Sequence, residues 1–398
     1  MSRLDRCYNI ADLREVAESR LPKGVFDYID KGTEDMQSLG NNRSAMTDIK
    51  LLNRVITDIS DIQLEADIFG SSAAMPLAIA PTGTAGLAWY EGEFELAKAA
   101  AASGVPFTLA TGSNTPMEKL ANEAGGRLWM QLYMWKEKHF SDELVKKAAR
   151  NGFEALLWTV DIGHGANREH NLRNGFATPY VINAKSVVDM LRHPTWLSTV
   201  MGRYFMNGGM PKHVNYPEGY QMPITGNVSK LGDKKPTTKR ADQLSWDDVD
   251  RLRDIFPGKL LIKGIMRADD AEQAIEHGVD GIVVSNHGGR NMDSAPAPIQ
   301  VLPEIVKAVD GRMKIIVDSG VRRGSDIVKC MALGADAVLA GRATLYGTAA
   351  GGEAGATKAI DILKDEMKRT MAYIGKQRVS EISQDDIWDG SLPGRDAI

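Results

Sequence analysis

From Met75 onward, short runs of consecutive apolar residues alternate with stretches in which apolar positions recur at helical spacing. The runs Pro76–Ala80, Phe107–Thr111, Leu128–Tyr133, Ala155–Asp161, Lys259–Ile265, Gly281–Asn286, Lys314–Asp318 and Ala337–Ala340 predict strands. Most are apolar on successive residues, the pattern of parallel strands covered on both faces. Between them, the periodicity predicts helices over Glu91–Ser103, Asp142–Asn151, Ala268–His277, Ile299–Val309 and Ser325–Leu333. Several stop at a glycine (Gly104, Gly152, Gly278, Gly334), the residue that best tolerates a left-handed C-cap. Eight strands with interleaved helices in one series favour a closed (β/α)8 TIM barrel over a doubly wound sheet.

Two regions interrupt the alternation within what reads as a single domain over 1–398. Residues 1–74 predict an N-terminal helical extension, with helical pieces at Ala11–Ser19 and Val25–Ile29. Residues 177–244, between the fourth and fifth strands, are too long for an ordinary βα loop and predict a lid or an interaction element. Within them, Ala184–Phe205 places apolar residues near helical spacing beside basic Lys185, Arg192, Arg203 and Lys212, and His193-Pro194 breaks it in two. Such a face suits an anionic membrane surface, and equally a lid or subunit contact. Lys230–Arg240, KLGDKKPTTKR, reads as a mobile polar surface loop.

Charge changes little in this picture. The chain of 398 residues carries 48 Lys plus Arg against 52 Asp plus Glu, with no basic stripe for nucleic acid. Two distant cysteines, Cys7 and Cys330, make no disulfide framework and fit a reducing cytoplasm. The N-terminus lacks a signal-peptide core, and no apolar stretch reaches the roughly 18 residues of a membrane span. The expected location is cytoplasmic, or peripheral on the inner face of the cell membrane.

Chemistry concentrates where the predicted strands end. Ser285–Arg290, SNHGGR, follows an apolar strand with an imidazole that can take a proton and a guanidinium that can hold a carboxylate. Its glycines allow close backbone approach. PTGTAG (Pro81–Gly86), QLY (Gln131–Tyr133), TVD (Thr159–Asp161) and Lys263 close other strands. DSGVRRG (Asp318–Gly324) and AGR (Ala340–Arg342) follow the seventh and eighth, the usual phosphate site of such barrels. Taken singly, Tyr28 could be a core tyrosine, Asp161 an N-cap and Lys263 a surface lysine. His164 and His170 lack the companions of a metal site, so no metal is expected. GGEAGA (Gly351–Ala356) lacks the spacing of a dinucleotide fingerprint.

From LPKGVFDYIDKGTED to GRATLYGTAAGGEAG, the chain resembles the FMN-dependent L-2-hydroxy-acid oxidoreductases, and within them the mandelate dehydrogenase branch through PTGTAG, SNTPMEKLA and GRATLYG. The resemblance implies oxidation of an (S)-2-hydroxy acid, mandelate- or lactate-like, to the 2-oxo acid, with hydride or electron-pair transfer to flavin N5. It makes His287 the base and Asp161 its carboxylate partner, a pairing that raises a histidine pKa. Arg290, Arg168 and Tyr28 would hold the substrate carboxylate, Tyr133 its hydroxyl, and Lys263 the flavin N1–O2 edge. Pro81, Thr82, Gly83, Thr111, Gln131, Thr159 and Ser285 would contact the flavin ring. Asp318, Ser319, Gly320, Arg322, Gly341 and Arg342 would hold ribityl and phosphate. A homotetramer is implied, with a quinone, another carrier or oxygen as electron acceptor.

Departures from the commonest pattern carry expectations of their own. Gly112 stands where glycolate oxidases have tryptophan, which opens the pocket and favours a bulky, aryl acid over glycolate. Gly83 replaces the alanine usual in oxidases, Asn291 the glutamine after HGGR, and Gly175 an arginine; the last has no physical account. The rival readings are a catalytically silent membrane-associated binding barrel, and another FMN- or phosphate-binding barrel such as an isomerase. Inosine-monophosphate dehydrogenase would need a loop cysteine, whereas Cys330 falls in a predicted helix.

Overall fold

The computed structural model describes residues 3–176, 184–218, 220–221, 240–388 and 390. A short antiparallel hairpin, β1 (Ala66–Ile68) and β2 (Ser71–Ala73), precedes the apolar runs. The runs themselves form β3 (Leu77–Ile79), β4 (Phe107–Ala110), β5 (Leu128–Leu132), β6 (Ala155–Thr159), β7 (Lys259–Ile265), β8 (Gly281–Val284), β9 (Lys314–Val317) and β10 (Ala337–Ala340). These eight close into a parallel barrel, β10 pairing with β3. The register sets Ala110 beside Gln131, Thr159 beside Lys263 and Val284 beside Val317, so the C-terminal ends share one rim.

Successive apolar residues are buried because both strand faces are covered. One set, including Trp129, Leu157, Leu261, Val283, Ile316 and Leu339, fills the barrel interior. The other packs against the surrounding helices. At the N-terminal mouth, the hairpin's Phe69 stands edge-on to Trp129 with centroids 5.9 Å apart and plugs the interior.

The N-terminal extension forms helices Ile10–Arg20, Lys23–Asp30 and Gln37–Asp48, and is stitched to the C-terminal rim. Thr33 N donates to Gly289 O at 3.0 Å, and Arg342 donates to the carbonyls of Ile29 and Lys31. Asn42 and Ser38 bond Asn286 in the loop after β8.

The helix Ala184–Leu191 ends before His193–Pro194, and a second helical stretch runs from Pro194 to Met206 through a π-helical turn at Leu197–Gly202. Its apolar positions split between two surroundings. Trp196, Val200 and Met201 are buried, Trp196 Nε1 donating to Leu87 O at 2.7 Å. Val187, Val188, Leu191, Phe205 and Met206 remain exposed. One face of the segment is therefore anchored on the barrel while the other is exposed. The polar stretch 230–239, expected as a surface loop, lies outside the described residues.

GGEAGA sits inside the final helix, Arg342–Tyr373, which kinks at Gly351 and Gly352. Gly352 has φ +60°, and a Cβ there would stand 2.6 Å from the Trp89 ring nitrogen. The glycine pair is a packing device.

Candidate active site

The strand ends open onto one cavity at the C-terminal rim. Its wall is made by Tyr28 from the extension, Pro81–Thr84 after β3, Gly112 after β4, and Gln131, Tyr133 and Thr159 at the ends of β5 and β6. Arg168, Lys263, His287, Gly288, Arg290, Asp318–Arg322, Gly341 and Arg342 continue it. The predicted residues thus converge, although Asp161, Thr111 and Ser285 stand behind the wall. Thr111 Oγ1 accepts from Tyr133 N at 3.0 Å and donates to Gln131 O at 2.7 Å, holding both neighbours. Ser285 Oγ accepts from Lys263 Nζ at 2.7 Å and from His287 N at 3.1 Å.

His287 sits at φ +57°, a left-handed conformation that costs a non-glycine residue about 1–2 kcal/mol. Asn286 braces it: Oδ1 accepts from Gly289 N at 3.1 Å, and the two N–H donors of Nδ2 are shared among Asn42 Oδ1 at 2.7 Å, Ser38 Oγ at 3.0 Å and Pro296 O at 3.0 Å. The imidazole is thereby aimed at two partners. Nδ1 lies 2.9 Å from Asp161 Oδ1, and Nε2 lies 3.2 Å from the Tyr133 hydroxyl. An ionised Asp161 can only accept, so Nδ1 carries the proton and Nε2 offers its lone pair toward the cavity.

The electrostatics correct one expectation. Asp161 does favour the imidazolium, but burial outweighs it, reinforced by Lys263 and Arg168, and the His287 pKa falls below its ordinary value. A histidine so placed is unprotonated at neutral pH. Burial pushes Asp161 up, yet the contact with His287 and the charge of Lys263 hold it below the usual carboxylate range. Its other oxygen, Oδ2, is buried with no hydrogen-bond partner among the described residues. Asn291, the departure from glutamine, donates from Nδ2 to Asp161 O at 2.7 Å, so the shorter amide still braces the loop. Gly264, at φ +112°, is required here because a Cβ would lie 2.7 Å from the Asp161 side chain.

Lys263 is buried and pairs with Asp318 Oδ2 at 2.6 Å; burial opposes its charge, but Asp318 and Asp161 together raise its pKa. Arg290 donates to Tyr28 O at 2.6 Å, and Arg168 donates to Arg290 O at 3.1 Å. Burial, and then the Arg290 charge, push Arg168 down to about 10, leaving it a cation at neutral pH. The Tyr28 phenol is raised by burial, but Arg290 and Arg168 prevail and hold it below the ordinary value. Burial raises Tyr133. Arg342 spends donors on the carbonyls of Ile29, Gly288 and Lys31, so it ties the extension to the rim as well as charging it. Arg322 donates to Val321 O at 2.8 Å.

The sequence pattern does not place His213, Tyr216 or Arg240 in this lining, and predicts Arg240 in the polar surface loop. All come from the long connection, where no strand end signals position. His213 Nδ1 lies 3.1 Å from Gly112 O, and its ring stacks on Tyr216 at 4.9 Å. A Cβ on Gly112 would come 3.8 Å from that imidazole, so His213 reoccupies part of the space the missing tryptophan leaves. The Arg240 guanidinium lies 4.1 Å from the centre of the Tyr133 ring. His170 is buried with Nε2 unpartnered, and no group of metal-ligating side chains occurs among the described residues.

Residues 17–389 match the family described as FMN-dependent dehydrogenase. The chain is 39% identical to (S)-mandelate dehydrogenase of Pseudomonas putida over 95% of this chain and 93% of that one. It is 38% identical to an L-lactate dehydrogenase of Xanthomonas campestris, covering 94% and 95% respectively. A crystal structure of the monotopic membrane protein (S)-mandelate dehydrogenase superposes with TM-score 0.88 at 37% identity, covering 96% of this chain and 100% of the other.

Proposed function

The chain belongs to the FMN-dependent dehydrogenase family, and from that premise we propose that it oxidises an (S)-2-hydroxy acid to the 2-oxo acid with His287 as the base. The observation that carries the reading is the relay from Asp161 Oδ1 through His287 to Tyr133 Oη, with gaps of 2.9 and 3.2 Å, set beside two half-buried arginines, Arg168 and Arg290.

The cavity suits FMN on the chemistry of its donors. Lys263 is a buried cation, and Arg322, Arg342 and the amides opening the Arg342–Tyr373 helix favour a phosphate. Pro81, Thr82, Gln131 and Thr159 offer a wall for a flat ring. When bound, FMN accepts the two electrons that leave the substrate carbon. The chain's own residues do the rest. Arg168, Arg290 and the Tyr28 hydroxyl hold the substrate carboxylate, orienting one face of the acid. The Tyr133 hydroxyl bonds the substrate oxygen, and His287 Nε2 takes the proton. Asp161 stabilises the imidazolium so formed, and its fixed hydrogen bond keeps the ring from rotating away.

The peripheral membrane reading rests on Val187, Val188, Leu191, Phe205 and Met206, exposed beside Arg192 and Arg203 on a part of the chain held firmly by Trp196. No helix among the described residues is long and apolar enough to cross a membrane. Docking by this patch would bring the protein to a membrane-borne carrier such as a quinone.

The test is anaerobic addition of (S)- and (R)-mandelate and lactate to the purified flavoprotein. Bleaching by the (S) acid is expected, and His287→Ala should keep the flavin while slowing bleaching about 10²–10⁴-fold. A flavin that no 2-hydroxy acid bleaches, or near-normal bleaching in the variant, would overturn the reading.

A further inference from the structure

Positive charge is unevenly committed around the cavity. Arg168, Arg240, Lys263, Arg290, Arg322 and Arg342 line it, while Asp318 is the one carboxylate in the described lining. Lys263 and Asp318 satisfy each other at 2.6 Å. In the function proposed above, on which this inference rests, Arg322 and Arg342 face the cofactor phosphate, and Arg168 and Arg290 face the substrate carboxylate. Arg240 is left without an anion. No carboxylate among the described residues pairs with it; its guanidinium lies over the face of Tyr133 at 4.1 Å, and its charge also reaches Tyr28 and Arg168.

Its position says which part of a substrate it meets. Arg240 is exposed at the cavity mouth and lines both this cavity and the adjoining outer cleft with His164, Asn167 and Asn291. Its backbone bridges to Trp135, just beyond the β5 end that carries Tyr133. It lines the cavity together with His213 and Tyr216 at the wall opened by Gly112, and its charge adds to burial in lowering His213 and opposes burial at Tyr216. An arginine stacked on an aromatic ring is pre-organised, and its free edge presents parallel N–H donors. We propose that Arg240 recognises a second anionic group at the far end of the substrate side chain, so that the preferred substrate is a 2-hydroxy acid with a distal carboxylate. His213 and Tyr216 then pack against the portion between the two charged ends.

The test uses size-matched pairs: (S)-4-carboxymandelate against (S)-4-methylmandelate, and (S)-2-hydroxyglutarate against (S)-2-hydroxyhexanoate. The intact protein should favour the charged member in kcat/KM by about ten- to a hundredfold, the worth of a charge-assisted hydrogen bond. Arg240→Met should abolish that preference while changing the neutral member less than about threefold. Affinities of the matching 2-oxo acids, read from perturbation of the bound flavin spectrum, report the same preference without turnover. A variant that loses both members equally would place Arg240 on the shared carboxylate and overturn the proposal. Absence of any charged preference in the intact protein would overturn it too. If the intact protein oxidises the neutral acids in either case, the proposed function stands while this inference falls.

Discussion

Asp161→Asn isolates the charge behind His287 without removing the atom that orients it. The amide oxygen can still accept from Nδ1, so the ring keeps an orienting hydrogen bond and loses an anion. In the native pair the contact is 2.9 Å, with both side chains largely buried. Charge centres about 4 Å apart at an effective dielectric near 20 interact by about 4 kcal/mol. That interaction is realised only as the imidazolium forms, so its loss slows proton removal by about a thousandfold. Anaerobic stopped-flow bleaching with saturating (S)-mandelate reads this step, and the oxidised flavin spectrum checks that the cofactor is retained. The pH profile adds a sign. His287 must be unprotonated to act, and Asp161 is the influence raising a pKa that burial already lowers. Removing the anion should therefore move the acid limb of kcat/KM to still lower pH. A loss below about fivefold with flavin bound, or an acid limb that rises, would show that the Asp161 charge does not support His287.

Gly112 predicts a higher kcat/KM for mandelate than for glycolate, and the reverse order would mean that His213 refills the pocket completely. Gly264→Ala should destabilise by about 1–3 kcal/mol through its φ of +112° and its approach to Asp161, read as a lower Tm; an unchanged Tm would refute the packing argument. Purified protein should float with anionic vesicles at low salt, and Leu191→Glu with Phe205→Glu should release it; unaltered flotation of the double variant would clear the exposed patch of that role.

The barrel was legible because its strands are buried on both faces, which writes continuous apolar runs into the chain. Each predicted strand matches an observed one to within a residue or two at its ends. The helix Gln37–Asp48 was not legible, since its sequence QSLGNNRSAMTD has no apolar stripe. It forms because Ser38 and Asn42 bond Asn286, a partner far away in sequence. The hairpin Ala66–Ala73 escaped for a related reason, its three-residue strands being too short to show alternation. Strand-end residues such as His287 and Lys263 could be placed because a barrel sends all its strand ends to one rim. His213, Tyr216 and Arg240 could not, because the path of the long connection follows from packing that no local period encodes. The direction of the His287 pKa shift was equally hidden: pairing is visible in a sequence, but the extent of burial is not.

The hairpin at the opposite mouth has a consequence for traffic. With Phe69 seated on Trp129, the barrel interior is solid from its floor upward, and nothing passes along its axis. In the reaction proposed above, the acid, its product and the electron acceptor would all come and go on the side bearing His287. A docking surface that presented this rim to an oxidant would make the oxidant and the departing product share one opening.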